Sequence, residues 1–174
     1  MPISLNAQNT EISFLLDTTW HTVHGKIKTI QGEASLRDPK DFKSVTINAS
    51  FSVSDFDTDN EDRDEEMRAC MQSDRFPLVS FELTTAENLC NPSSVTPETP
   101  CSFMGKGSIT IRDVTKAIDL PAQVKVQDDQ TYIVEGDTTI EWPDFGVEDP
   151  SILIAKVHSK VSIHFSLTLS NQKV

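Results

Sequence analysis

The chain has 174 residues, of which 37% are hydrophobic and 24% charged, a balance that suits one soluble globular domain, residues 1–174, with a core large enough to fold without staples. Its formal net charge of −12 repels phosphate backbones and anionic surfaces, so nucleic acid is not expected as a partner. No run approaches the ~20 apolar residues of a membrane helix, so no transmembrane segment is expected either.

The first residues, Met1-Pro2-Ile3-Ser4-Leu5-Asn6, carry neither a basic nor an apolar leader segment. The chain as it stands reads as cytoplasmic, or as periplasmic if an export signal has been removed. Two strand candidates follow, Glu11–Asp17 and Trp20–Leu36, the second either two strands or one bent at Gly25 and Gly32. In Ser44–Asp55 the odd positions Val45, Ile47, Ala49, Phe51 and Val53 are apolar while most even positions are polar. Period two of this kind marks a strand with one wet face.

The alternation breaks at Asp62–Met71, where Met67, Cys70 and Met71 fall on one helical face. Asp62 and Glu65 have capping-box spacing, and the acidic residues of the first turn suit the helix dipole. This predicts a short helix near residues 62–72, crossing one end of the fold as a lid or plug and ended by Phe76-Pro77. Strands are then predicted at Leu78–Glu87, Ser102–Arg112, Ala117–Gln127 and Thr131–Trp142. Near the C-terminus Val157, Val161, Ile163, Phe165, Leu167 and Leu169 share one parity against polar neighbours. Turns are predicted at Asp38-Pro39, Arg112-Asp113, Asp128-Asp129 and Pro143-Asp144. About eight strands with short links close naturally into an all-β, antiparallel up-and-down barrel, which removes exposed edges.

Of the three cysteines, Cys90 and Cys101 flank a Pro- and Thr-rich segment that reads as a hairpin loop. A disulfide across its neck is geometrically plausible, but the odd total and the absence of a visible leader favour free thiols. His21 and His24 point to opposite faces of a strand, and His158 and His164 lie roughly 20 Å apart along one, so no local metal site is expected. No catalytic motif stands out. Arg63-Asp64 reads either as a polar gate for a ligand headgroup or as an ion pair fixing the corner before the helix.

Several blocks together resemble the YceI family. They are Thr10-Glu11-Ile12-Ser13-Phe14, Val23-His24-Gly25 with Gly32, and Thr58-Asp59-Asn60-Glu61-Asp62-Arg63-Asp64. Further on come Phe76-Pro77-Leu78-Val79-Ser80-Phe81, Gly105-Lys106-Gly107-Ser108-Ile109-Thr110-Ile111-Arg112-Asp113-Val114-Thr115-Lys116 and Asp144-Phe145-Gly146-Val147. The chain departs from the family at Met71-Gln72-Ser73-Asp74-Arg75, where relatives carry an aromatic-rich run, and it lacks an Asp-x-x-His-Ser segment before the first matched strand. The resemblance implies a lipocalin-like, eight-stranded barrel with a long apolar tunnel that accepts polyisoprenoids such as isoprenoid quinones. It also implies relatives that are periplasmic or linked to stress.

The expected function is therefore sequestration of an apolar, isoprenoid-chain lipid by a carrier that is not an enzyme and requires no cofactor. The alternative is a stress-related interaction domain with a filled core. A second copy of the chain, as a homodimer, is the other partner considered. Candidate lining residues on the apolar faces are Phe51, Val53, Phe81, Leu83, Phe103, Ile109, Val124, Ile140, Trp142, Ile163 and Phe165, with Met67 and Met71 on the lid. An eight-stranded barrel is wide enough for one ligand where side chains leave room.

Overall fold

A computed structural model of the chain describes residues 2–38, 41–128, 131–151 and 155–170. The predicted turn residues Pro39 and Asp129 lie outside these. Among the described residues one α-helix, α1 (Glu61–Cys70), interrupts an otherwise antiparallel β-structure. The strands are β1 (Pro2–Leu5), β2 (Thr10–Thr18), β3 (Thr22–Ile27), β4 (Ile30–Leu36), β5 (Val45–Ser52) and β6 (Phe56–Asp57). After the helix come β7 (Leu78–Asn88), β8 (Cys101–Ile111), β9 (Val114–Asp128), β10 (Thr131–Glu141) and β11 (Val157–Ser170). All belong to one sheet with the order β1-β4-β5-β7-β8-β9-β10-β11-β2-β3-β6.

Among the described residues eleven strands stand where the sequence predicts eight, because three long ribbons are broken. Residues 6–9 turn between β1 and β2, where Asn6 accepts from the Thr10 N–H at 2.9 Å. Yet both strands run along the same neighbouring ribbon, with Leu5 opposite Gly32 and Ile12 opposite Ile27. Lys28 and Thr29 separate β3 from β4, and a 3-10 turn over Val53–Asp55 separates β5 from β6. The bend predicted in Trp20–Leu36 thus falls at Lys28-Thr29 instead of at a glycine. β3 and β4 sit near opposite ends of the hydrogen-bonded order but are joined by these two residues, so the sheet curls back on itself around a hollow.

The alternation in sequence decides which side chains face that hollow. Along β9, Ile118, Leu120, Ala122 and Val124 are buried, while Lys116, Ala117, Asp119 and Pro121 are exposed. Close approach of neighbouring strands fixes two glycines. A Cβ on Gly107 would fall 2.1 Å from the Glu82 carbonyl oxygen, and one on Gly32 would fall 2.2 Å from that of Asn48. Both obstacles are backbone, which cannot rotate away. Gly107→Val is therefore expected to destabilise by about 1–3 kcal/mol or more, read as a lower urea midpoint with an unchanged slope.

The helix has a sparse apolar face, and its ends are secured individually. Asn60, with φ −151°, accepts from the Arg63 N–H at 3.0 Å, so it caps the helix in place of the predicted Asp62 and Glu65. The helix starts before Asp62, which places Asp62 in its first turn beside Glu61 and Asp64. At the other end Gln72 takes the left-handed φ of +52°, and the Ser73 N–H reaches the Arg68 carbonyl at 3.0 Å while the Gln72 N–H reaches that of Ala69 at 3.0 Å. This is a Schellman closure with Gln in the position glycine usually takes. Arg112, the first residue of the tight β8–β9 turn, also has a positive φ of 57°.

Candidate ligand-binding cavity

The interior is hollow. The curled sheet, α1 and the end loops enclose a cavity of about 1700 Å³ whose walls are mainly aliphatic and aromatic. The alternating residues of β11 show how this arises: Val157, Val161, Ile163, Phe165, Leu167 and Leu169 all line it, while the intervening Lys160, Ser162 and His164 face outward. Phe51, Phe81, Leu83, Phe103, Ile109, Val124, Ile140 and Trp142 also stand on the wall.

Val53 does not. β5 ends at Ser52, and Val53 enters the 3-10 turn with its N–H donated to the Pro77 carbonyl at 2.9 Å. The side chain is 1% exposed and packs in the core, off the cavity surface. A rule of parity fails there because the strand has already stopped.

α1 covers one end, and Met67, Cys70 and Met71 face the cavity from it. The corner before the helix is tied through Thr58. Its N–H donates to both carboxylate oxygens of Asp64, at 3.0 and 3.2 Å, and its hydroxyl donates to Oδ1 at 2.5 Å. Arg63 closes the knot from the other side. Its Nε donates to Thr58 Oγ1 at 2.8 Å and its Nη2 to the Thr58 carbonyl at 2.6 Å. Of the two readings of Arg63-Asp64, the corner is the one these bonds describe: both side chains fix it, but through Thr58 and not as an ion pair with each other. Asp64 and Thr58 are each 4% exposed, whereas Arg63 is half-buried and also lines the cavity. Among the described residues the charged ones on the cavity surface, Asp62, Arg63 and Glu66, all lie at this end.

The opposite end is covered by the β7–β8 loop. β7 and β8 pair as far as Asn88 opposite Phe103, and this register brings Cys90 to Cys101 with a Cα–Cα separation of 5.5 Å. The two form a disulfide, against the expectation of free thiols, since strand pairing had already placed them at bonding distance. Pro92, Ser93 and Val95 of the loop line the cavity.

Cys70 is the free cysteine. Burial pushes its thiol pKa up, and Glu66, Glu148 and Asp149 add to the shift. Thiolate is the reactive form, so alkylation of the folded protein at pH 8 is expected to run roughly tenfold or more slower than in urea. Mass spectrometry with iodoacetamide checks this, with the disulfide left intact.

Sequence reasoning missed the walls built by β2, β3 and β4: Phe14, Val23, Ile27, Ile30 and Ala34 line the cavity too. Leu15 obscures the signal. It lies between the inward Phe14 and Leu16 but is 42% exposed, so β2 reads as an apolar run and not as an alternation. Thr58 gave no signal of its own, because a threonine before an acidic stretch is ordinary loop composition.

The model of the YceI-like domain matches residues 4–169. No curated protein matches the chain. Among solved structures, BcnA of Burkholderia cenocepacia superposes with a TM-score of 0.75 at 17% identity, covering 92% of this chain and 96% of that one. A polyisoprenoid binding domain from Saccharophagus degradans, implicated in plant cell wall breakdown, gives 0.74 at 11% identity and 97% of both chains. The YCEI protein of Campylobacter jejuni gives 0.68 at 17%, with 87% and 86% covered. At these identities the likeness is one of fold.

Proposed function

Since the chain belongs to the YceI-like family, we propose that it is a carrier that sequesters an isoprenoid-chain lipid, quinone-like in its head, within the curled sheet. The observation that carries this reading is the cavity itself. At about 1700 Å³ it exceeds the ~300–1,000 Å³ of ordinary small-molecule pockets, and its wall is apolar along the length of the strands. A structural neighbour from Saccharophagus degradans is a polyisoprenoid binding domain, which supports the same class of ligand.

The energetics favour a chain of several isoprene units. Each buried methylene contributes about 0.8 kcal/mol, so one five-carbon unit contributes several kcal/mol before costs. Association and ordering cost about 4–15 kcal/mol, which one unit does not offset and several do. The wall also bears on the head. Arg63 can donate to an acceptor oxygen, but Asp62 and Glu66 beside it repel an anion. An uncharged, carbonyl-bearing head such as a quinone fits this charge pattern better than a phosphorylated one.

Native mass spectrometry tests the proposal. After organic extraction the protein is titrated with an isoprenoid quinone and, separately, with a polyprenyl phosphate of equal chain length. A one-to-one complex with the quinone, stronger than with the phosphate, is expected. Failure to take up either would sink the carrier reading.

A further inference from the structure

We infer that the Cys90–Cys101 disulfide is a redox-sensitive strap that holds the β7–β8 loop shut over one mouth of the cavity. The inference rests on the carrier reading and adds a control on ligand exchange.

The loop between the cysteines forms a small unit of its own. Asn91 accepts from the Ser93 N–H through its side chain at 3.0 Å and from the Ser94 N–H through its carbonyl at 2.9 Å, and Thr96 and Thr99 exchange backbone bonds at 3.1 Å. Among the described residues, the hydrogen bonds of residues 91–100 join members of the loop to one another. Its attachment to the body consists of the two strand ends, the disulfide and apolar packing. Val95 and Cys90 rest against the cluster of Phe42, Ala86, Cys101, Phe103, Ala122 and Val124. Pro92, Ser93 and Val95 meanwhile form part of the cavity wall. A cross-link at the neck therefore sets how far a segment of the wall can swing.

The two sulfurs are unequally placed. Cys101 is 1% exposed, whereas Cys90 is half-buried. A small dithiol reductant accordingly attacks Cys90 Sγ as its thiolate. The Sγ–Sγ bond breaks, Cys101 leaves as a thiolate that takes up a proton, and a mixed disulfide forms on Cys90. The reductant's second thiol then attacks its own bound sulfur and leaves as a cyclic disulfide, and Cys90 is released and protonated. The protein gains two electrons and two protons in all. Without the cross-link the loop samples a wider ensemble, hinged at Cys90 and Pro100, just outside the Leu89 N–H to Ser102 carbonyl bond and the pairing of Cys101 with Val124, and the mouth opens more often.

The test uses diphenylhexatriene, an apolar, redox-inert rod that fluoresces when buried. Loaded protein is mixed with excess phosphatidylcholine vesicles and the loss of signal is timed, for the oxidised chain, the dithiol-reduced chain and the C90S/C101S variant. Reduction is expected to speed release by about tenfold, with the variant equally fast and indifferent to dithiol. Faster hydrogen exchange at Ser94 and Thr96, whose amides are hydrogen-bonded within the loop, should accompany it. If the variant fails to fold, the reduced natural chain with unchanged near-UV circular dichroism serves in its place. Equal release rates in the oxidised and reduced states would overturn the strap while leaving the carrier proposal intact. Failure to bind the isoprenoid quinone with redox-dependent release of the rod would do the reverse. Absence of uptake in every state would overturn both.

Discussion

Replacing Ala49 with Trp is expected to weaken quinone uptake on the order of a hundredfold, about 2.7 kcal/mol, while leaving the fold standing. Ala49 lies on β5 between Gly32 and Phe81 in register and faces the cavity. A large ring added there fills space and meets little resistance, so stability should stay within about 1 kcal/mol of the parent. The control is Ala86→Trp. Ala86 is 1% exposed and packs among Phe42, Cys101 and Phe103, off the cavity wall. The same ring there overpacks the core, at a cost of about 1–3 kcal/mol or more. One substitution should thus weaken binding without destabilising the fold, and the other should destabilise the fold without weakening binding. Isothermal titration with the quinone and urea unfolding separate the two.

Asp64→Ala should be the most damaging change to the helix corner. It removes the acceptor of three hydrogen bonds and strands the Thr58 N–H and hydroxyl in a site only 4% exposed. Unsatisfied buried donors cost about 1–3 kcal/mol each, which suggests a loss of about 3 kcal/mol. For a chain of this size that lowers Tm by roughly 6–12 °C. Thr58→Val, which keeps the backbone donor and deletes the hydroxyl, should fall between Asp64→Ala and the parent. A thermal melt of the three proteins orders them.

Most of the architecture could be read from period-two alternation because each long strand is apolar on one face only. β11 and β9 declare their inward residues outright, and the helical spacing of Met67, Cys70 and Met71 marks the covered end. What was lost was lost for local reasons. The breaks at residues 6–9, Lys28-Thr29 and Val53–Asp55 depend on where neighbouring ribbons diverge, a property of the closed sheet and not of the residues at the break. Period two therefore predicts too few strands and places Val53 on the wall. The Thr58 knot and the Cys90–Cys101 pairing are likewise products of register. Composition alone cannot show which loop residue meets a carboxylate six positions on.

A carrier needs an interior that is empty space and not packed side chains. Crystals of the extracted protein, pressurised with xenon, put that question to the molecule, since xenon enters dry apolar voids. Density for the gas is expected within the sheet, against Ile109 and Ile163 on its facing walls. A map in which those side chains meet across the axis and no xenon enters would contradict it.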